Sequence, residues 1–345
     1  MVKKKSTWKH KLAAVLVSCF MIMVVLFVGE VCCRLFTRAT FLETSRYLFT
    51  PHRFGASFGN TPNLEAVSFD EKFNTDENGF RYDPGFSSTA APDAPAMLLI
   101  GDSVTFGPGV PEKDTFAGLL RRAVPGEKVY NAAVVGYDTF DYENVVPRVL
   151  KDKPDIKTVL IFFCLNDAGD ASAQMIRQQT ETYEDPDKPR EQPSLARRIN
   201  DFLRSRSKLY LWLKSLLYDS SQAYFLNDLG YYQKGEAASE ASLKPLADLN
   251  KTLSGSGIKL KVFVMPYEMQ MRPGALPEYF TPQATVTKFL RENNIDHYDT
   301  TNDFKGQDDP SRLFLFGDPM HLSAPGHKLA ARIVCQQIEE KCKID

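Results

Sequence analysis

The stretch "TVLIFFC", residues 158–164, constrains the fold more than any other part of the chain. It carries no charge and stays apolar at consecutive positions, so both faces of a strand built from it need cover. Parallel sheets with helices on both sides supply that cover. Strand-like segments recur at 96–100, 128–134, 259–266 and 295–300. Helical patterns at 114–124, 141–151, 241–253, 282–293 and 324–340 separate or follow them, with Phe116, Leu119 and Leu120 on one face of the first and Pro147 expected to bend the second. This alternation predicts an α/β fold with a central parallel sheet. The 345 residues suffice for one large domain or two small ones. Lys and Arg total 42 against 43 Asp and Glu, a balance that gives no electrostatic reason to expect a nucleic acid partner.

The N-terminus is different. Lys3, Lys4, Lys5, Lys9 and Lys11 precede an uncharged run from Leu12 to Gly29. As a helix it spans about 27 Å, close to a bilayer's apolar thickness. One reading is a cleaved signal peptide, but no A-x-A-like site closes the run. The favoured reading is a retained anchor with its lysines in the cytoplasm. The expected organisation is a cytoplasmic tail (1–11), a transmembrane signal-anchor (12–33), an approach segment (34–93) without strong periodicity, and a folded domain (94–345) lying on the periplasmic or outer side.

An insertion interrupts that domain at about 171–240. Its first part, "QQTETYEDPDKPREQPS", reads as a mobile loop. In its second part Leu195, Ile199, Phe202, Leu209, Leu213 and Leu216 fall on one helical stripe, with Arg197, Arg198, Arg204, Arg206, Lys208 and Lys214 around it. That stripe is either a cap packed on the domain or a surface for anionic lipid or polysaccharide. Of the six cysteines, Cys19, Cys32 and Cys33 lie in or beside the anchor, and Cys164 ends the 158–164 strand. Cys335 and Cys342 could pair only if the last helix ended between them, so mostly free thiols are expected. No Cys/His spacing suits a zinc site, and neither a metal nor a cofactor is called for.

The candidate chemistry begins where the strand "AMLLI" stops at Gly101-Asp102-Ser103. A serine nucleophile needs a base, an orienting acid and an oxyanion hole. Of the five histidines, His10 is in the tail, His52 in the approach segment and His297 inside a strand. His321 has Asp318 three residues before it, whereas His327 has no acid at that spacing and is read as structural. Gly136 and Asn166 follow two further strands, where a backbone N–H and a side-chain amide could donate to an oxyanion. Ser103, Gly136 and Asn166 then share the carboxyl edge of the sheet, the edge at which open parallel sheets bind ligands. Tyr267, Met269 and Met271 follow a fourth strand and are candidate substrate-pocket walls or loop packing. G-x-S-x-G is absent, so this is not the elbow of the α/β-hydrolases.

In order, "GDS" at 101–103, Gly136, Asn166 in "CLND" and "DPMH" at 318–321 resemble the SGNH, or GDSL-type, hydrolase family, over residues 96–340. The resemblance implies a flavodoxin-like three-layer α/β/α fold and a Ser-His-Asp site. Ser103 would be the nucleophile, His321 the base and Asp318 its orienter. The Ser103 and Gly136 N–H groups and the Asn166 amide would form the oxyanion hole. The family has glycine where Cys164 stands here. "NTDENGFRY" (74–82) and "HLSAPGHKLAA" (321–331) are similar to the membrane-anchored bacterial branch. The expected function is an anchored extracytoplasmic serine esterase acting on O-acyl groups, acetyl esters of a cell-envelope polysaccharide or small esters among them. The alternatives are an O-acyltransferase with the same triad and a non-enzymatic envelope polysaccharide-binding or assembly protein. Oligomeric state is not legible.

Overall fold

The apolar segments do become adjacent strands. A computed structural model describes residues 7–37, 39, 41, 48–168, 194–338, 342 and 344. Lys3, Lys4, Lys5 and the polar stretch 178–193 lie outside the described residues. The strands are β1 (Phe49–Phe54), β2 (Ser57–Asn60), β3 (Glu65–Ser68), β4 (Glu71–Thr75), β5 (Arg81–Tyr82), β6 (Ala96–Gly101), β7 (Lys128–Asn131), β8 (Ile156–Phe163), β9 (Lys259–Val264) and β10 (Asp296–Asp299). The helices are α1 (Thr7–Phe36), α2 (Ser103–Phe106), α3 (Phe116–Ala123), α4 (Thr139–Asp152), α5 (Leu195–Arg204), α6 (Lys208–Leu217), α7 (Ser220–Tyr232), α8 (Glu236–Gly255), α9 (Glu268–Met271), α10 (Thr281–Glu292), α11 (Thr301–Lys305) and α12 (Ala324–Gln337).

By its internal contacts the chain divides into Met1–Leu42 with Gln192–Asp219, and Glu43–Glu191 with Ser220–Asp345. The second unit holds the main sheet, in the order β10-β9-β8-β6-β7-β5-β4-β3. From β10 to β7 every pairing is parallel, and β5, β4 and β3 continue antiparallel. Taken in chain order, the five parallel strands run 2-1-3-4-5, the flavodoxin-like order, whose ligand crevice opens between its first and third strands. Those strands are β6 and β8, paired Leu99 to Leu160 and Ile100 to Ile161 with no exposed surface on any of the four side chains. Phe162 of β8 stacks on Phe263 of β9 at 5.2 Å between ring centres. Helix α3 packs on α12, and α4 packs on α8, which packs on α10, so helices cover the sheet in two layers.

Three expectations need correction. The approach segment is not merely irregular, because residues 65–82 supply β3, β4 and β5 to the sheet. Their signal is faint because the inward positions of β3 are Ala66 and Ser68, and β5 is two residues long. The insertion stripe is not one helix. It breaks between α5 and α6, where the Ser207 hydroxyl accepts from the Tyr210 N–H and starts a new helix. The seven-residue step from Phe202 to Leu209 keeps the helical period across that break, which is why one helix was expected. Finally, Cys19, Cys32, Cys33 and Cys164 are free as expected of most thiols, but Cys335 and Cys342 meet the stated condition for pairing and are bonded. Helix α12 ends at Gln337, between them, and brings their Cα atoms to 5.2 Å.

The first unit contains α1, of which His10–Phe36 (27 residues) is long and apolar enough to cross a membrane.

One buried cation ties the antiparallel edge to the rest of its unit. Arg81 of β5 is 1% exposed. Its guanidinium donates to the carbonyls of Phe106 (2.6 Å), Gly107 (2.5 Å) and Val110 (2.6 Å), and Nε lies 2.8 Å from Glu112 Oε2. Arg121 holds the other Glu112 oxygen at 2.8 Å. Arg81 therefore fixes the loop that leaves α2. Arg81→Met would strip three carbonyls of their donor and leave Glu112 with Arg121 alone. The expected loss is about 3–5 kcal/mol of folding stability. Urea unfolding should show it as a lower midpoint at an unchanged slope.

Candidate active site

Strand β6 runs to Gly101, and the chain turns at once into the four-residue helix α2. A β-carbon on Gly101 would stand 2.8 Å from Thr105 Cβ and 3.0 Å from the Phe162 carbonyl oxygen, so only glycine permits so sharp a turn. Asp102 caps the turn, its Oδ1 accepting from the Val104 N–H at 2.8 Å. Ser103 is thereby held at the carboxyl edge of the sheet, 7% exposed, at the crevice beside β8.

Asp318 and His321 arrive from the loop before α12. The loop is closed by a bridge between Phe314 and Leu322 and by the Leu315 N–H donating to the His321 carbonyl at 2.8 Å. The spacing of "DPMH" has a local cause. Asp318 Oδ1 accepts from the backbone N–H groups of Met320 (3.0 Å) and His321 (2.7 Å), which turns Oδ2 toward His321 Nδ1 at 2.7 Å. On its other side His321 Nε2 is 2.8 Å from Ser103 Oγ. With Nδ1–H donating to Asp318, Nε2 is the free acceptor for the serine proton. Burial alone would depress the His321 pKa; Asp318 beside it and Asp102 nearby outweigh that and lift it above its ordinary value.

The turn after β8 brings Asn166, 7% exposed. Its Nδ2 donates to Asp102 Oδ2 at 3.2 Å, and Oδ1 lies 3.2 Å from the Tyr267 hydroxyl, which donates to Asp228 Oδ2 at 2.6 Å. These partners set which way the amide faces. Gly136 follows β7 at φ 86°, a left-handed turn leading into α4, whose N-terminus Asp138 caps. Beneath Asn166, Asp167 accepts from the Cys164 N–H and the Tyr142 hydroxyl, both at 2.8 Å. Burial, with Asp102 adding to it, holds the Asp167 carboxyl well above the usual carboxylate range, and burial raises Asp102 as well. Cys164, at the family's glycine position, is fully buried with its Sγ 3.8 Å from Met320 Sδ. Burial pushes that thiol's pKa well up, so it is an apolar filler under the "DPMH" loop.

Of the candidate pocket residues, Tyr267 has no exposed surface and reaches the site through its hydroxyl, while Met269 and Met271 pack against the core. His327 is fully buried. The Phe116 N–H donates to its Nδ1 at 3.2 Å, and burial pushes its pKa down to about 3. His297 is half-buried in β10. Among the described residues no group of three or more His, Cys, Asp or Glu is placed to hold a metal ion.

The residues missed from sequence are Phe69, Asp228 and, as a site partner, Asp102. Phe69 and Asp70 form the two-residue turn between β3 and β4 at φ 52° and 67°. The Phe69 ring sits edge-on to His321, 5.3 Å between centres. Such turns favour Asn-Gly, so "SFDE" carries no turn signal. Asp228 lies in α7, whose spacing from the site is a matter of packing alone.

A serine hydrogen-bonded to a histidine that a carboxylate holds, at the carboxyl edge of a parallel sheet, defines the serine hydrolase class of site. Residues 99–329 match the GDSL-like lipase/acylhydrolase family, and the chain belongs to it. It is accordingly an acyl-ester hydrolase. No curated protein sequence matches the chain. Similar solved structures include the lipase/acylhydrolase from Enterococcus faecalis (15% identity, TM-score 0.41, 73% of this chain and 98% of that one). The acetylxylan esterase Axe2 from Geobacillus stearothermophilus is another (18% identity, TM-score 0.41, 75% and 100%). Superpositions this loose add nothing to the family assignment.

The electrostatics of His321 are directly measurable. Its imidazole should titrate above about 6.5 in an NMR pH series. Asp318→Asn removes the carboxylate that raises it and leaves the burial that lowers it, so the midpoint should fall below that value. The raised pKa contributes stability that is full below about pH 6.5 and is lost as pH climbs through the folded value.

Proposed function

We propose that the protein is a membrane-anchored, extracytoplasmic serine esterase that removes O-acyl groups, with acetyl esters of a cell-envelope polysaccharide as its leading substrate class. The observation that carries the reading is the unbroken relay from Ser103 Oγ through His321 to Asp318, at 2.8 and 2.7 Å. Ser103 Oγ attacks the ester carbonyl as its proton passes to His321 Nε2. The negative charge on the former carbonyl oxygen is met by the Asn166 amide and by the Ser103 and Gly136 N–H groups. His321 gives its proton to the leaving alcohol oxygen as the C–O bond breaks, leaving an acyl-enzyme on Ser103. Water then attacks, its proton going to His321, and the carboxylic acid leaves as that proton returns to Ser103 Oγ.

Two features support the location. The apolar stretch His10–Phe36 fits a bilayer, with the lysine-rich tail before it. The Cys335–Cys342 disulfide suits an oxidising compartment.

Ser103→Ala should abolish labelling by a serine-directed fluorophosphonate and release of acetate from O-acetylated glycans. Labelling that persists in the variant would move the chemistry to another serine. Product analysis with an added glycan acceptor separates hydrolysis from transfer: free acetate alone supports the esterase, and an acetylated acceptor means that a sugar hydroxyl takes water's place.

Asn166→Ala tests the oxyanion hole. The amide contributes mainly where charge develops, so kcat should fall about 10²–10³-fold, roughly 3–4 kcal/mol, with KM nearly unchanged. Normal turnover in folded Asn166→Ala protein would reduce Asn166 to a turn residue.

A further inference from the structure

The carboxylate of Glu30, one residue beyond the uncharged run of α1, is committed to the insertion. Its oxygens accept from the Ser207 hydroxyl (2.8 Å) and from the N–H groups of Lys208 (3.1 Å) and Leu209 (3.0 Å), and Arg34 closes the set at 2.7 Å. An acid at the first turn of a helix satisfies otherwise unpaired N–H groups and complements the helix dipole. Helix α6 is therefore capped by α1. Gly29 lets the two approach, since a β-carbon there would stand 3.1 Å from Leu209 Cδ2. Arg34 also donates to the Arg206 carbonyl at 3.0 Å. Helix α5 is tied to α6 through Asn200 Oδ1, which accepts from the Tyr210 hydroxyl at 2.9 Å and from Lys214 at 3.4 Å.

Neither α5 nor α6 buries a single residue. Leu195, Ile199 and Phe202 line one side of α5 exposed, and Leu213, Leu216 and Leu217 are exposed on α6, with Leu195 at 72% and Leu217 at 90%. On α5, Arg197 and Arg204 fall on the face opposite that apolar side. Residues 194–218 carry six basic side chains and one acidic, Asp201. An exposed apolar stripe with a basic opposite face has the composition of a helix lying in a membrane surface. Here it is fastened to the end of the helix that would cross that membrane.

We infer that α5 and α6 form an interfacial collar around the outer end of α1, with the apolar side among acyl chains and the basic side chains at anionic phospholipid headgroups. The inference rests on the anchor reading of α1. It gives Glu30 a purpose: a carboxylate at the edge of an apolar span is matched by N–H groups and Arg34 before the chain re-enters the interface.

The chain has two tryptophans, and they report on opposite ends of α1. Trp8 stands at its start and Trp212 lies in α6. Full-length Trp8→Phe and Trp212→Phe proteins are reconstituted into phosphatidylcholine vesicles, with and without phosphatidylglycerol, using brominated acyl chains as quenchers. Trp212, read in Trp8→Phe, should lose at least half its emission to the brominated lipid and be shielded from acrylamide in the water. The loss should deepen with phosphatidylglycerol. Adding Arg197→Gln, Arg198→Gln and Arg204→Gln should remove that increment and leave the phosphatidylcholine value. Trp8, read in Trp212→Phe, reports the anchor. If Trp8 is quenched by lipid while Trp212 answers only to acrylamide, the collar is wrong and the anchor stands. If neither is quenched by lipid, both readings fall. A Trp212 signal that responds to a soluble acidic glycan and not to lipid overturns the collar in favour of a polysaccharide surface.

Discussion

A guanidinium without access to water organises the domain that carries the chemistry. Arg81 lies on the shortest strand of the sheet, yet it holds three carbonyls between Phe106 and Val110 and Glu112 at once. Burying a cation is costly unless every donor finds a partner. That requirement makes the arrangement all-or-none: the antiparallel edge, the loop after Ser103 and the start of α3 form together or leave a charge unpaired. The Arg81 guanidinium also stacks over the Phe106 ring at 5.0 Å, at the end of the helix that begins with Ser103. The serine's placement at the crevice thus depends on a residue more than twenty positions earlier in the chain.

The site itself is a balance between burial and hydrogen bonding. Asp102 and Asp167 are both buried close to the turn that carries Asn166, and burial pushes both carboxyls up. His321 is raised despite its burial because Asp318 stays against it. Low dielectric strengthens such contacts and penalises any left open. The same physics explains why Cys164 is tolerated where the family has glycine: its thiol points into apolar packing against Met320, so it asks nothing of the polar network. Phe69 adds an apolar edge beside His321 from a turn whose two residues adopt left-handed backbone, a conformation that typically costs about 1–3 kcal/mol and is held by its surroundings.

The first unit obeys a different economy. Its helices present apolar side chains outward and keep their polar contacts for one another, through Glu30, Arg34 and Asn200. Under the anchor proposed above, this disposition suits lipid as the solvent, where backbone ends must be capped from within.

The sequence by itself determined the parallel half of the sheet. The runs at 96–100 and 158–164 lack the polar faces of solvated strands, and a doubly covered sheet accommodates them; in 259–266 only the stretch after Lys261 reads that way. It also marked Ser103, Asn166, Asp318 and His321. Small-residue turns after apolar strands must fall on one edge, and Asp318 reaches His321 through bonds local to four residues. What only the tertiary structure decided were the contacts between segments distant in the chain: Arg81 behind Ser103, Phe69 against His321, Asp228 behind Tyr267, and Cys335 with Cys342. Strands β3 to β5 belong with these. Their lengths are short, the inward residues of β3 are small and that of β5 is the charged Arg81, so their pattern carries too little hydrophobic contrast to read. They exist as strands because the edge of β7 offers its hydrogen bonds to them.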